Sequence, residues 1–390
     1  MKRVWKTRYS KINLLTVWVM LFVMIIAAGC SNTTTKEKET ATTGKTEEKT
    51  EEKTEEKGES TKKAILIING NLGDLGFFDS ANAGMQKLKA DYGMQIQVIE
   101  TGSDESKWEP ALADAAEEKA DYVIAVSPSM VEPMQKIAPM YPDKKFLLID
   151  NKVDFDSADL KNVYCATFKQ NEGSYLAGVA AAVLAQDKKI LGFVGGQDIP
   201  PINDFLVGFI EGALKVDEEM KIIATYPGDY YDPAKGKEYG ILLANQGAEV
   251  MFAAAGPTGL GVIEAAVERD KFIVGVDSDQ SAGYAANGDE KTAKKICTSM
   301  LKNVGDAIYR AISMDLEGKL SFGTAESLGI AEGGVGLAKN EVYQSVFSEE
   351  ARAKIEAIEK EVVEGKIKVS TAIGMKQEDL DQLRNRVKPE

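Results

Sequence analysis

From Ala64 onward, the sequence alternates short β-branched runs with longer amphipathic segments, and this alternation constrains the fold more than any other feature. Most of the short runs are separated by stretches with apolar residues at spacings of three and four, as in "SANAGMQKLKADYG". Such a pattern predicts parallel sheets covered by helices on both faces. The predicted strands are residues 64–69, 95–100, 121–126, 145–150, 162–166, 190–195, 221–226, 249–254, 272–276 and 295–299.

Ten strands exceed one comfortable doubly wound sheet, and they fall into two similar series of about five. The sequence therefore predicts an α/β protein of two doubly wound parallel-sheet lobes with a ligand cleft between them. We assign residues 63–166 plus 276–312 to lobe 1 and residues 167–275 plus 313–390 to lobe 2. Ligands of open parallel sheets bind beyond the carboxyl ends of the strands, so the segments that follow each strand hold the candidate site.

The amino terminus runs from basic residues through an apolar stretch, Leu14 to Ala28, to the small residues "AAGC". This order predicts a secretory signal peptide over residues 1–29. An uncleaved membrane anchor is the alternative, although the apolar run is shorter than the roughly 20 residues of a spanning helix. The "AAGC" stretch resembles a bacterial lipobox, with Ala27 where leucine is usual. By that resemblance Cys30 becomes the lipidated first residue, which anchors the protein at the extracytoplasmic face of the cell membrane.

Residues 30–62 comprise this cysteine and a segment with a repeated Lys-Thr-Glu-Glu unit and almost no apolar side chain. Such a segment cannot offset its ordering entropy by burial, so we expect a disordered tether. A solitary helix is the alternative, but it would lack an apolar face.

Composition excludes several classes of function. The chain has no histidine, which removes imidazole bases, Ser/His/Asp triads and HExxH zinc sites. Its formal net charge of −14 would repel a nucleic-acid backbone. Cys30, Cys165 and Cys297 show no CxxC spacing, and the latter two lie in strand-like runs, where we expect buried inert thiols. We therefore expect no metal, no cofactor and no nucleic-acid partner.

Aromatic and acidic side chains stand after the predicted strands of both halves. Phe77 and Phe78 end the glycine-rich stretch that follows the first strand, and successive turn residues rarely point the same way, so at least one ring is a candidate for the cleft. Tyr230 offers a second ring from the other lobe. A planar ligand ring stacked between two aromatics would gain about 1 to 3 kcal/mol per contact, by analogy with nucleic-acid bases.

The sequence allows two interpretations for each of three further residues, Asp277, Lys302 and Gly256. Asp277 in "VDSDQ" is either a solvated turn residue or a carboxylate that accepts hydrogen bonds from two adjacent sugar hydroxyls. Lys302 either balances that charge or lies on a helix surface. Gly256 opens "GPTGLG", whose glycine spacing does not fit a dinucleotide fingerprint, so it marks a tight turn or a close approach of ligand to backbone.

Several longer motifs carry a resemblance to a known family. They are "GDLGFFDSANAGM", "YPDKKFLLIDNKV", "NVYCATFKQNEGSYLAGVAAA", "LGFVGGQDIPPINDFLVGFIEG", "DPAKGKE", "AAAGPTGLGVIEAA", "VGVDSDQ" and "TSMLKNVGDAIYRAI". In this order they resemble the basic membrane protein family of bacterial lipoproteins, the group that contains purine nucleoside receptor A. The resemblance implies a type I periplasmic-binding-protein fold. It also implies a substrate-binding protein that captures nucleosides by hinge closure and delivers them to an ABC transporter permease. We expect this protein to be a monomer and not an enzyme.

The resemblance also assigns residues. Phe77 would stack on the base, Asp277 would bind the ribose hydroxyls with the help of Lys302, and Tyr230 would stand at the second stacking position. The family's usual Asp-Lys-Ser-Phe-Asn reads Asp74-Leu75-Gly76-Phe77-Phe78 here, so the amide is missing. The full set of expected ligand-binding residues is Asp74, Phe77, Phe78, Asp150, Phe205, Tyr230, Gly256, Asp277 and Lys302, and no residue is expected to be catalytic.

Three other functions fit the residues. A sugar or another small polar ligand could occupy the same cleft. Aspartates could serve a nucleoside hydrolase or phosphorylase, or the chain could be a surface sensor or adhesin.

Overall fold

A computed structural model describes residues 62–389 as two α/β lobes, each built on a six-stranded sheet. The predicted fold class is confirmed. The strands are β1 (Lys63–Ile68), β2 (Gln95–Glu100), β3 (Tyr122–Val126), β4 (Lys145–Ile149), β5 (Val163–Phe168), β6 (Ile190–Gly195), β7 (Lys221–Thr225), β8 (Val250–Ala254), β9 (Phe272–Asp277), β10 (Ile296–Lys302), β11 (Thr324–Leu328) and β12 (Val335–Leu337). The first ten coincide with the predicted strands, whereas β11 and β12 were not predicted.

Helices separate most of the strands. They are α1 (Phe77–Tyr92), α2 (Trp108–Glu117), α3 (Val131–Ile137), α4 (Gln170–Leu184), α5 (Pro200–Val216), α6 (Pro233–Asn245), α7 (Pro257–Glu268), α8 (Gln280–Ala286), α9 (Glu290–Ala293), α10 (Val304–Leu316), α11 (Glu341–Val346), α12 (Glu349–Val363) and α13 (Gln377–Val387). Within residues 62–389, none of the helices is both long and apolar enough to cross a membrane.

The two sheets have matching topologies. Lobe 1 has the strand order β2-β1-β3-β4-β5-β11, and lobe 2 has the order β7-β6-β8-β9-β10-β12. All neighbours pair in parallel except β12, which runs antiparallel to β10. The order reverses between β1 and β3 in lobe 1 and between β6 and β8 in lobe 2. Each reversal opens a crevice at the carboxyl ends of the strands, which is where ligands of such sheets bind.

The predicted lobe boundaries need correction. Strand β10 was assigned to lobe 1 within residues 276–312, but it pairs with β9 in lobe 2. Conversely, β11 was assigned to lobe 2 and pairs with β5 in lobe 1. The alternation identifies strands but does not say which sheet the tenth strand joins, because β10 is buried on both faces and would suit either sheet.

The chain crosses between the lobes three times in the described residues. It leaves lobe 1 after Phe168, returns after Lys302, and crosses again between Leu328 and Val335. Backbone hydrogen bonds tie the crossings together, with Lys169 N donating to the carbonyl of Leu328 at 2.9 Å. These three segments form the connection about which two such lobes can move.

Each sheet is covered on both faces. Along β1, Leu66 and Ile68 pack into one core cluster, and Ile65 and Ile67 pack into another on the opposite face. This is the period of two that buried strands show, and it explains why β1 reads as a continuous apolar run.

Helices α1 and α10 pack unusually close together. A Cβ on Gly84 of α1 would overlap with the carbonyl of Gly305 in α10. Because α1 begins at Phe77, this contact between glycines fixes the helix that carries a candidate site residue.

Candidate functional site

A cavity of about 180 Å³ lies where the carboxyl ends of the two sheets face each other. A single water needs roughly 15 Å³ on this measure, so the space accommodates a small molecule. The structure brings all nine residues expected from the sequence to its wall: Asp74, Phe77, Phe78, Asp150, Phe205, Tyr230, Gly256, Asp277 and Lys302.

Four residues that line the cavity have left-handed backbone conformations. The φ angles are 92° at Ser127, 78° at Asp150, 67° at Asp277 and 54° at Gly256. Each residue ends or follows a strand. Residues other than glycine adopt positive φ angles at a cost of about 1 to 3 kcal/mol, and such backbone strain is concentrated at functional sites. The positive φ angles of the three non-glycine residues therefore mark the cavity wall as a candidate functional site.

Lys302 lies between two carboxylates at the centre of the site. Its Nζ is 3.0 Å from Asp150 Oδ2 and 3.9 Å from Asp277 Oδ1. All three side chains are about nine-tenths buried. One cation therefore faces two acidic groups that come from different lobes.

Three rings surround the same ammonium group. The Lys302 Nζ lies 4.8 Å from the centroid of Phe77, 5.4 Å from that of Phe205 and 5.9 Å from that of Phe168. Cations are attracted to ring faces at these distances. The rings fix the ammonium group while they exclude water from it.

Burial and the opposing charges together set the pKa values of this triad. It raises the pKa of Asp277 to about 7, although the charge of Lys302 opposes the shift. It also raises the pKa of Asp150, again against Lys302. Burial alone would lower the pKa of Lys302, but Asp150 and Asp277 outweigh it and the net shift is upward. Lys302 is therefore a cation at neutral pH, and Asp277 titrates there.

Two buried acceptor atoms in the cavity wall lack hydrogen-bond partners within residues 62–389. They are Oδ1 of Asp277 and Oε1 of Gln170. A buried polar atom without a partner costs about 1 to 3 kcal/mol, and a ligand that donates a hydrogen bond removes that cost. Both atoms therefore define positions for ligand donors.

The carboxylate of Asp74 mostly accepts hydrogen bonds from nearby backbone N–H groups. Oδ1 accepts from Gly76 N at 3.0 Å and Asp79 N at 3.1 Å, and Oδ2 accepts from Phe78 N at 2.9 Å. In return, Asp79 accepts from Gly73 N and Leu75 N. These bonds satisfy the first backbone N–H groups of α1 and hold the glycine-rich loop in place. They leave Asp74 about one of its four acceptor positions for a ligand.

The two adjacent phenylalanines differ in burial, as expected for successive residues that point in different directions. Phe78 is 6% exposed and packs in the core beneath Gly70, whose Cβ would overlap with its ring. Phe77 is partly exposed and meets Phe78 edge-on, with centroids 5.4 Å apart. Phe77 is thus the ring that can face a ligand, and Phe78 forms the wall behind it.

Lobe 2 supplies a second pair of aromatic side chains. The ring of Tyr230 lies against the backbone of Gly196, where a Cβ would overlap with it. The hydroxyl of Tyr231 donates to the carbonyl of Asn69 in lobe 1 at 2.8 Å. On another side of the cleft, Ser278 Oγ donates to the carbonyl of Leu75 at 2.7 Å. These two bonds link the lobes around the cavity.

Two residues of the site, Gln170 and Phe168, were not among those expected from the sequence. Both stand at the first crossing between lobes, where β5 ends and α4 begins. Only the packing of α4 against lobe 2 turns Gln170 to the cavity, and no local pattern of residue types indicates it.

The other chemical groups take ordinary places. Cys165 and Cys297 are fully buried in β5 and β10, and burial raises their pKa to about 11 and about 12. Residues 62–389 contain no cluster of three acidic or cysteine side chains suited to a metal ion. The predicted signal peptide, Cys30 and the tether lie outside the described residues apart from Lys62.

Two similar lobes joined by three crossings, with a ligand-sized cavity at their facing strand ends, define a solute-binding protein. The structure is similar to that of an ABC transporter solute-binding protein from Aeropyrum pernix, with a TM-score of 0.71 and 25% identity over 84% of this chain and 100% of that one. The chain belongs to the Bmp family, described as ABC transporter substrate-binding protein PnrA-like, whose model matches residues 61–371.

Two relatives are similar to most of this chain. An uncharacterised lipoprotein of Pyrococcus furiosus is 32% identical over 288 residues, which cover 71% of this chain and 70% of the relative. The nucleoside-binding protein BmpA of an ABC transporter from Lactococcus lactis is 29% identical over 323 residues, which cover 79% and 88%. The chain is therefore an ABC transporter substrate-binding protein, and the family is not one of enzymes.

Proposed function

We propose that this protein is the nucleoside-binding component of an ABC importer, with purine nucleosides as its ligands. The proposal rests on the residues around the cavity and is supported by the Lactococcus lactis relative, which is named as a nucleoside-binding protein. The nine cavity residues expected from the sequence would then contact or enclose the ligand.

One observation carries the proposal: the unpartnered Oδ1 of Asp277, deep in the cavity and beside Lys302. A carboxylate can accept from two adjacent hydroxyls at once, as the 2′ and 3′ hydroxyls of a ribose present them. The charge of Lys302 favours the ionised form of this carboxylate and so opposes the effect of burial on its pKa. Ribose binding would thus complete a hydrogen-bonding site that the protein leaves open.

The aromatic side chains suit the other half of a nucleoside. Phe77 comes from lobe 1 and Tyr230 from lobe 2, and both line the same cavity. A purine between them would gain about 1 to 3 kcal/mol from each stacking contact. Gln170 Oε1 supplies an acceptor for an N–H of the base.

The charges favour nucleosides over nucleotides. Asp74, Asp150 and Asp277 all line the cavity, against the single ammonium of Lys302. A phosphate would add negative charge to a buried space that already contains an excess of carboxylates. The glycine-rich loop before α1 cannot compensate, because Asp74 and Asp79 already occupy its N–H groups.

Capture and delivery follow from the three crossings. We expect the lobes to open and close about the segments after Phe168, Lys302 and Leu328. The closed, liganded form would then dock on a membrane permease. Lipidation at Cys30 would hold the monomer on the extracytoplasmic face, within reach of that permease.

The test is calorimetric titration of the full chain in detergent, after reversible unfolding has removed any ligand carried through purification. The panel contains inosine, guanosine, adenosine, cytidine, uridine, ribose and inosine monophosphate. We expect dissociation constants below about 1 µM for purine nucleosides, weaker binding of pyrimidine nucleosides, and no binding of ribose or the monophosphate.

Other results would redirect the assignment. Ribose binding as tight as that of inosine would indicate a sugar receptor. Release of free base from inosine during the titration would indicate an enzyme. No heat with any member of the panel would contradict nucleoside capture.

A further inference from the structure

The carboxyl-terminal helix α13 lies against the loop that forms the lobe 2 wall of the cavity. This loop, residues 196–203, connects β6 to the first turn of α5. Gln197, Ile199, Pro201 and Ile202 from it line the cavity. Its other polar side chains, Asp198 and Asn203, bond away from the cavity to Arg384 of α13.

Arg384 makes a bridge with several bonds. Its Nη2 lies 2.7 Å from Asp198 Oδ1, 2.8 Å from Asn203 Oδ1 and 2.7 Å from the hydroxyl of Tyr226, and its two N–H groups are shared among these three acceptors. Its Nη1 donates to Asp198 Oδ2 at 3.3 Å, and its guanidinium carbon lies 5.2 Å from the Tyr226 ring centroid. A planar guanidinium with five donors can hold such a set in one geometry, which lysine cannot do.

The loop is held from its own side as well. Asn203 Nδ2 donates to Asp198 Oδ1, and Tyr226 donates its hydroxyl proton to Asn203 Oδ1, both at 2.8 Å. The Tyr230 ring packs on Gly196 at the start of the loop. The position of the loop therefore affects both the apolar wall and the tyrosine ring that lobe 2 contributes to the cavity.

The segment before α13 is attached to the same region. Asp204, next to the loop, accepts from Thr371 Oγ1 at 2.6 Å and Ala372 N at 2.8 Å. Asn171 Nδ2, beside Gln170, donates to the carbonyls of Val369 and Ser370. Helix α13 itself lies beyond residues 61–371, the part of the chain that the family model matches.

We propose that Arg384 is a positioning residue for the ligand: through Asp198, Asn203 and Tyr226 it holds loop 196–203 in the conformation that completes the cavity. The effect on affinity rests on the proposed function, whereas the effect on the loop does not. Arg384 does not line the cavity, so it acts through the loop alone.

The test compares Arg384→Met with Arg386→Met in the full chain. Arg386 lies on the same helix and is exposed, so it controls for the loss of one positive charge. Amide hydrogen exchange is measured without ligand, and inosine dissociation is measured by stopped flow. We expect R384M to speed exchange in residues 196–203 by about tenfold or more, while the rest of lobe 2 keeps its protection. We expect inosine to dissociate about tenfold faster.

Two further variants separate positioning from general weakening. Arg384→Lys keeps the charge and can bond only part of the set, so it should restore part of the loop protection. Asp198→Asn combined with R384M should cost less than the sum of the two single changes, because both remove the same bridge.

Each outcome has a definite meaning. Unchanged loop exchange in R384M, or equal effects of R384M and R386M, would overturn the proposal. Faster exchange across the whole of lobe 2 would show a role in stability alone and would also overturn it. If the wild-type chain binds no nucleoside, the proposed function fails while loop exchange still decides the positioning role.

Discussion

At the scale of single residues, the titration of Asp277 gives a prediction for ligand binding. Its pKa is raised to about 7, and the proposed contact with ribose hydroxyls needs the ionised carboxylate. Inosine affinity should therefore be constant above that pH and fall by about tenfold per pH unit below it. Calorimetry from pH 5 to pH 9 measures this, with Asp277→Asn expected to show weak binding and a flat profile. A flat profile in the wild-type chain would contradict the role of Asp277.

The same group has an opposite effect on the stability of the ligand-free protein. A carboxyl whose pKa rises on folding, here from 3.8 to about 7, favours folding only while it is protonated. Its contribution is lost as pH rises through that interval. D277N should therefore be more stable than the wild type at pH 8, by roughly 4 kcal/mol, and similar to it at pH 4. Chemical denaturation measures the difference, with Asp156→Asn in an exposed loop as the control.

Lys302 should be the most sensitive residue of the cavity. Replacing it by methionine leaves Asp150 and Asp277 buried without their cation. Removal of one partner from a buried ion pair costs about 3 to 5 kcal/mol, so we expect a loss of that size in the free energy of unfolding at pH 8. The double variant K302M/D150N should recover part of the loss. Equal stability of K302M and the wild type would contradict the described triad.

At this scale, the sequence predicts which residues surround the cavity but not how each is used. The rule that ligands meet strand ends points to most of the nine expected residues, whereas the place of Lys302 in the site came from the family resemblance. The sequence does not show that the oxygens of Asp74 bond to backbone N–H groups, because that depends on how α1 begins. Nor does it show Gln170, whose direction is set by the packing of α4.

At the scale of elements, the close approach of α1 and α10 predicts a specific cost. In Gly84→Ala, the added methyl group would overlap with the carbonyl of Gly305. The helices must then separate, so we expect a loss of about 1 to 3 kcal/mol. Because α1 begins at Phe77, inosine binding should weaken as well. Gly336→Ala, which has open space around its Cβ position, is the control in thermal unfolding and titration.

The strands show which elements a sequence can reveal. The ten predicted strands are apolar runs that are mostly buried, which is the pattern that parallel sheets produce. Strand β11, Thr324–Leu328, is largely exposed and polar, and β12 has only three residues. Neither strand therefore shows the pattern of apolar residues from which a strand is predicted. Whether β10 joins lobe 1 or lobe 2 depends on contacts between distant segments.

At the scale of the whole molecule, the bonds between the lobes should control how long a ligand stays. Tyr231→Phe removes the hydrogen bond from lobe 2 to the Asn69 carbonyl of lobe 1. A bond of this kind contributes about 1 kcal/mol, so inosine should dissociate about fivefold faster, while the ligand-free chain keeps its thermal stability. Tyr309→Phe loses a hydroxyl that bonds to Asp91 within lobe 1 and serves as the control. Equal dissociation rates in the two variants would contradict closure through this contact.

The architecture of two lobes joined by three crossings places the cavity between parts of the chain that can move apart. Asp150 comes from lobe 1, while Asp277 and Lys302 come from lobe 2, with Lys302 at a crossing. A ligand held by this triad would therefore couple the lobes and favour the closed form. A permease could recognise the closed form, because only that form presents the surfaces of both lobes in a fixed relative position.

The proposed contact between the Asp277 carboxylate and the ribose hydroxyls can be tested by a thermodynamic cycle. The cycle removes the carboxylate and the hydroxyls, first separately and then together. Affinities for inosine and for 2′,3′-dideoxyinosine are measured by calorimetry in the wild-type chain and in D277N. We expect the wild type to bind the dideoxy compound about 100-fold more weakly than inosine, and D277N to bind the two equally. The same discrimination in both proteins would show that other groups hold the ribose, and it would contradict the account.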